Sequence, residues 1–377
     1  MEFVTKSTLT ISWYDGRATA LDAMTGQVCE VSRDTLLILD RCAGGATVRQ
    51  LTEDLRADGY DVDPAEVHAT LTELQAAGLV RSAAAGDEDP DAHGAWRRWG
   101  PEAMLFHFGT KDVPFVASVE EAERVYADVS AHAQPPLFKR YPKAPTVVLP
   151  RPRPVDSRRF VDVLLGRRTV REFDERAVEV EQLSAVLFYS FAPQSFVDID
   201  GLGALPLRPY ANGGARSELE VYVNVRGVAG LDDGLYHYEP VAHCLEFLGE
   251  RLDQAQLTHL SHQQVMCAHA PVTLFVTAVV GRLAHKYHNA RALRVMYLDA
   301  GHLGQTFALV ATAHGLGPYQ TAAFRDSDVE RALGVDGTDE TVLYLLGFGV
   351  PAAAPENPLR PAGLGAAALT RLYDDQP

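Results

Sequence analysis

Hydrophobic and polar positions change their period along the chain. Over residues 9–31, short runs rich in Thr, Ile, Trp, Tyr, Leu and Val are broken by turn signals at Asp15-Gly16 and Thr25-Gly26. This predicts short strands, with a hairpin between Leu21 and Val28. Three helices follow. The first covers about 33–42 and stops at Gly44-Gly45. The second opens on Thr47-Val48-Arg49-Gln50, a capping-box spacing, and ends at Gly59. The third has Asp63 as its cap and Pro64 in the first turn, where no amide donor is needed. Glu66 completes the box, Leu71 and Leu74 share a face, and Gly78 stops it. Leu79-Val80 reads as a closing strand.

Residues 82–94 are small, acidic and proline-containing, the composition of an exposed linker. The domain division expected is therefore 1–85, then connecting helices and an arm over 86–154, then 155–377. The arm is proline-rich, with Pro135-Pro136, Pro142, Pro145 and Pro150. From residue 156 helices and strands are interspersed. A helix is expected over 157–165, with Phe160, Val163 and Leu164 inward and Gly166 at its end, and another over 180–190. Strands are expected at 219–225, 235–238, 244–248, 272–280 and 342–348. Residues 290–314 are apolar or small on almost every side, which predicts a long helix buried in the core and terminated by Gly315.

Composition narrows what such a chain does. Its 377 residues, 47% apolar and 22% charged, suffice for two ordinary globular domains. A formal net charge of -16 disfavours nucleic acid as the main ligand, so any anion must be held by a local cationic cluster. Four scattered cysteines without a CxxC pair fit a reducing cytoplasm, and no stretch resembles a signal peptide or a membrane span.

The local cationic cluster exists. Arg167, Arg168 and Arg171 flank Thr169 directly after the predicted 157–165 helix. Guanidinium forks and a hydroxyl suit a phosphorylated cofactor, although an arginine cluster on its own is as often a solvated surface. Later segments add to it: the glycine-rich turn over 209–215, the run 299–317 and the strand-like 342–351 occur in an order that resembles nitroreductase-like flavoenzymes. That resemblance covers about half the chain. It implies an α+β fold, with a mostly antiparallel sheet flanked by helices, and FMN at the interface of a homodimer. Carried over by position, Arg167 and Thr169 serve the phosphate end and Arg171 lies near the pyrimidine edge of the flavin, with Arg168 also expected among the cofactor-binding residues. Asn212, Gly213 and Gly214 approach the ring, Ala322 and Ala323 lie in a loop passing over it, and Arg360 completes the phosphate site from the C-terminal arm. Gln305 is expected at the cofactor or the partner subunit. His302 is either another such contact or a hydrogen-bonded core histidine.

Residues 285–302 resemble the azoline-dehydrogenase, or SagB-type, branch of those enzymes, whose Lys-Tyr pair acts in proton transfer; here the pair is Lys286-Tyr287. Oxidising an azoline to an azole removes two electrons and two protons, so a base beside the flavin is needed, and a lysine whose pKa is lowered by burial or by Arg291 fills that role. A surface lysine beside a packing tyrosine is the plainer alternative. Residues 13–80 resemble PqqD-like domains, which bind the leader of a ribosomally made peptide by strand addition. A winged-helix module used only for packing or dimerisation predicts the same pattern.

The expected function is thus FMN-dependent oxidation of a residue on a precursor or carrier peptide, azoline to azole first, alongside companion peptide-modifying enzymes. Alternatives are aromatic oxidation or hydroxylation on a carrier peptide, NAD(P)H-dependent quinone or nitro reduction, and a silent peptide-binding adaptor. His259/His262 and His285/His288 have helical spacing but lack the Cys or carboxylate pattern of a metal site, so no metal is expected. GxSxG, P-loop and GxGxxG motifs are absent.

Overall fold

The computed structural model describes residues 1–14, 16–22, 27–85, 96, 98–113, 115–152, 158–199 and 203–352. It forms two compact units, Met1–Phe115 and Val116–Pro377. The first unit has the three expected helices, Arg33–Arg41, Val48–Ala57 and Pro64–Ala76, with both capping boxes formed. An antiparallel meander joins Leu9–Tyr14, Arg17–Asp22 and Val28–Glu30. A second sheet was not legible from the pattern. Glu2–Thr5 pairs with Ala46–Thr47 on one side and Val80–Ser82 on the other, burying Phe3 among Leu51, Leu71 and Val80. The expected linker over 82–94 lies mostly outside the described residues.

In the second unit seven antiparallel strands run in the order Gly317–Thr321, Glu340–Gly349, Val272–Val279, Leu219–Val225, Gly234–Glu239, Cys244–Gly249, Thr146–Val148. Helices cover both faces, so the fold is α+β. Val180–Phe191 and the long helix Ala292–Ala313 pack with Leu219, Val221, Val223 and Val225 on one side. Gln254–Leu260, Val265–His269 and Asp326–Leu333 pack with Tyr222, Phe275 and Tyr319 on the other. No helix among the described residues is long and apolar enough to cross a membrane.

Two expectations about burial need correction. The first concerns the helix Phe160–Gly166, which buries Val163 but leaves Phe160 67% and Leu164 45% exposed. Seven residues make two turns, and only one position of that short stripe reaches the core. The second concerns Ala292–Ala313, which is not buried all round: Leu293, Tyr297 and Leu298 are exposed, while Met296, Ala300, Leu303 and Phe307 form its inward face. An apolar sequence fixes no inward face when every side is apolar.

The middle strand carries a charged interior. Glu220, Tyr222 and Asn224 alternate with the apolar residues and point to the opposite face. Glu220 takes Arg282 Nη2 at 2.6 Å, His237 Nε2 at 3.1 Å and the Lys139 amide at 2.9 Å. His237 Nδ1 reaches Glu246 at 2.8 Å, and Glu246 accepts the Tyr141 amide at 2.9 Å. Tyr222 donates to Glu340, which also takes Lys139 Nζ at 2.5 Å. Arg282 Nε donates to the Pro136 carbonyl at 2.6 Å. These bonds tie the proline-rich arm to the sheet.

Burial alone pulls the His237 pKa down, but the hydrogen bonds and charges of Glu220 and Glu246 outweigh it and the net shift is upward. Burial pushes both glutamates up, and their bonds to His237 with other contacts bring each below its ordinary value. The histidine contribution is complete below its ordinary 6.5 and is lost as pH rises through the raised folded value. The carboxylate contribution is present above 4.5 and lost as pH falls through the lowered folded values. His237→Ala should therefore destabilise the protein by on the order of 3 kcal/mol. Denaturation across pH should show the gap to wild type widest between those limits and narrower on both sides; a gap that keeps growing above neutral pH would contradict this account.

Candidate functional site

The turn before the middle strand is held by a buried acid. Asp299 Oδ2 accepts the Gly213 amide at 2.7 Å and Asn212 Nδ2 at 3.0 Å. The same Asn212 nitrogen lies 3.2 Å from Glu218 Oε2, and Asn212 Oδ1 accepts the Ser217 amide at 3.1 Å. Asn212 is thus engaged within the turn. Backbone strain is concentrated here: Gly214, Ala215 and Ser217 have φ of 64°, 53° and 56°. The left-handed region is unfavourable for the latter two, so surrounding bonds must hold them there.

Glycine is required at two positions for steric reasons. A Cβ on Gly213 would lie 2.2 Å from Val295 Cγ1, and one on Gly214 would lie 2.3 Å from Tyr287 Oη and 3.4 Å from Lys286 Nζ. The structure therefore brings together Gly213 and Gly214 with Lys286 and Tyr287. The pair follows the short helix Val280–Ala284, with both amides bonded to the Leu283 carbonyl. Lys286 Nζ sits 5.4 Å from the Tyr287 ring centre. Burial, then the charge of Arg216, lowers the Lys286 pKa, while burial raises that of Tyr287. The cation that acts on Lys286 is the fully buried Arg216.

Sequence reasoning missed other neighbours. On the helix Val119–Ala131, Val129 packs with Leu205 and Ala215, and Asp128 lies 3.8 Å from His288. This helix therefore stands beside the turn and the lysine-tyrosine pair. Glu218 and Asp299 are buried carboxyls, both raised chiefly by desolvation; Glu218 is raised further by the charge of Asp299. The available signal was an aspartate within the mostly apolar stretch Met296 to Leu303.

The arginine cluster follows the helix Phe160–Gly166. Arg167 caps Phe160–Gly166, and Val170 bonds to the Pro318 carbonyl at 2.9 Å. Arg168 turns back onto the carbonyls of Leu165 and Arg167 at 3.0 and 2.7 Å, completing the helix end. Arg167, Thr169 and Arg171 make no side-chain hydrogen bond or ion pair with a described residue. Two guanidiniums and a hydroxyl left with donors to offer, on an acidic chain, fit a phosphate. Ala322 and Ala323 are exposed past Gly317–Thr321, with Ala323 held by Thr321 and Gln264. Gln305 is exposed. His302 is half-exposed rather than in the core, bonding the Ala211 carbonyl at 3.2 Å. Arg360 lies outside the described residues. No hydrogen bond or ion pair among the described residues joins the arginine cluster to Lys286 and Tyr287. His259 pairs with Asp328 at 2.9 Å, and no cluster among the described residues has metal-holding geometry.

The profile of the nitroreductase family matches residues 164–350. A Methanocaldococcus jannaschii protein that carries the name nitroreductase is 31% identical over 179 residues, 48% of this chain and 86% of that one. The trifolitoxin-processing protein TfxB of Rhizobium leguminosarum bv. trifolii is 23% identical over 300 residues, 75% of this chain and 79% of that one. A solved structure from Ralstonia eutropha JMP134, also named a nitroreductase, superposes with a TM-score of 0.46 at 22% identity, covering 55% of this chain and 90% of that one.

The contact at Gly214 yields a prediction. Gly214→Ala should cost roughly 1–3 kcal/mol, combining the unfavourable φ with the collision at Tyr287. Tyr287→Phe removes the atom struck first, so the double variant should recover part of that loss. Strict additivity of the two changes in thermal denaturation would show that Gly214 does not press on Tyr287.

Proposed function

Because this chain belongs to the nitroreductase family, we propose that it is an FMN-dependent oxidoreductase that converts an azoline to an azole on a ribosomally made peptide. The observation that carries this reading is the Lys286–Tyr287 pair lodged against the Gly213-Gly214 turn, with the lysine pKa lowered. FMN, when bound, supplies a two-electron acceptor. Arg167 and Thr169 would hold its phosphate and Arg171 would stand near the pyrimidine edge of its ring, each with donors that the described residues leave uncommitted. Lys286 in its neutral form takes the proton from the azoline ring, and burial, then the charge of Arg216, lowers its pKa and so favours that form relative to a free lysine. Tyr287 orients the amine. The trifolitoxin-processing relative supports a place in natural-product processing.

The first unit is assigned to holding the peptide leader, and companion enzymes to forming the azoline. The exposed apolar residues of Phe160–Gly166 and Ala292–Ala313, two helices in contact, support a homodimer in which a second copy covers Phe160, Leu164, Tyr297 and Leu298.

Cofactor released from the purified protein should be FMN, and Arg167→Ala with Arg171→Ala should lose it; recovery of FAD alone, or full retention in the double variant, overturns the phosphate assignment. Mass spectrometry of an azoline-bearing precursor peptide should show loss of two hydrogens, whereas gain of oxygen points to hydroxylation. Lys286→Ala should keep its flavin and slow this reaction about a hundredfold to ten-thousandfold.

Removing residues 1–85 should leave FMN binding intact and raise KM for the full-length peptide with little change in kcat, because a remote binding contribution is lost without disturbing the reacting centre. Unchanged kinetics would favour a packing role for the first unit.

A further inference from the structure

Asp299 occupies an unusual place for a carboxylate. It is 3% exposed in the middle of the helix Ala292–Ala313, on the inward face with Met296, Ala300 and Leu303. A carboxylate there is costly unless hydrogen bonds compensate. Its hydrogen-bond compensation comes chiefly from the turn, the Gly213 amide at 2.7 Å and Asn212 Nδ2 at 3.0 Å, both on Oδ2, with His302 Nδ1 3.9 Å from Oδ1. On its other side the turn is packed closely, because a Cβ on Gly214 would collide with Tyr287 Oη at 2.3 Å and touch Lys286 Nζ at 3.4 Å. Glu218, fully buried, shares the Asn212 amide at 3.2 Å. Its Oε1 has no hydrogen-bond partner among the described residues.

We propose that Asp299, backed by Glu218, is a positioning residue that pins residues 212–214 to the long helix and thereby holds the packing of Gly214 against Lys286 and Tyr287. This rests on the assignment of Lys286 and Tyr287 as the reacting pair. The helix supplies 22 residues of rigid support, so a bond from it to the turn fixes the turn more closely than the loop's own contacts could. Two adjacent buried carboxyls do not both ionise easily, and burial with the charge of Asp299 pushes Glu218 up to about 7, so it is the acid that holds its proton more readily while Asp299 accepts from the turn. The arrangement explains why Asn212 is a carboxamide: its single nitrogen donates to both acids while its oxygen takes the Ser217 amide.

The test reads Lys286 directly, without peptide substrate. The purified flavin-bound protein is pulse-labelled with acetic anhydride across pH, and acetylation of Lys286 is followed by mass spectrometry against exposed Lys143. In Asp299→Leu the turn is released and Lys286 gains water, so the midpoint of its labelling should move up by about half a unit, roughly threefold in free amine. Asp299→Asn keeps an acceptor oxygen and should show a smaller shift in the same direction. A folded Asp299→Leu protein with the wild-type Lys286 midpoint overturns the proposal, as does an equal shift in both variants. Should Asp299→Leu fail to fold, Asp299→Asn alone decides: a midpoint shift supports the proposal and an unmoved one overturns it. Absence of peptide oxidation would leave this result standing, and an unmoved midpoint would leave the azoline reading standing.

Discussion

The structure depends on the requirement that every polar group on the fully buried strand Leu219–Val225 find a partner. Its odd positions meet helices and its even positions, Glu220, Tyr222 and Asn224, meet charge and backbone. A buried glutamate without partners would cost several kcal/mol, more than a typical domain can easily spare. Satisfying Glu220 recruits Arg282 from the short helix that follows one neighbouring strand, His237 from the other neighbouring strand and the Lys139 amide from the arm. One residue therefore organises three distant segments.

The site inherits its geometry from that arrangement. Arg282 sits in the short helix Val280–Ala284, and Lys286 and Tyr287 follow within five residues, bonded back to Leu283. Arg282 also donates to the Ser217 carbonyl at 2.9 Å, while Arg216 donates to the Arg282 carbonyl at 3.2 Å. The strained segment 214–217 and the lysine-tyrosine pair are thus clasped from below by two buried guanidiniums. Burial, and then the charge of Arg216, also lowers the Lys286 pKa, so one of the guanidiniums that set position acts on reactivity as well.

Much of the fold is legible in the sequence. Both capping boxes of the first unit, the five principal strands of the second and the long helix are local matters: each is encoded by side chains within a few residues of one another. The short strand Glu2–Thr5 and the hairpin Ser195–Ile199 with Gly203–Leu207 were not legible, since their pairing depends on partners or on exposed apolar residues without a clear inward face. Within the candidate site, the residue types were legible and their grouping was not. Lys286, Tyr287, Gly213 and Gly214 could be named, yet 71 residues lie between Gly214 and Lys286 and no periodic pattern spans such a distance.

By itself the sequence determined where helices begin and end, which positions are apolar, and that an acidic chain concentrates arginines beside Thr169. Those properties follow from neighbouring side chains and backbone sterics. Only the tertiary structure decided that Asp299 faces the glycine turn, that Arg216 rather than Arg291 is the cation acting on Lys286, and that Phe160 and Leu164 lie on the surface. The physical reason is that desolvation and close charge are properties of a place in the fold, and a residue acquires them only when segments far apart in the chain are packed together.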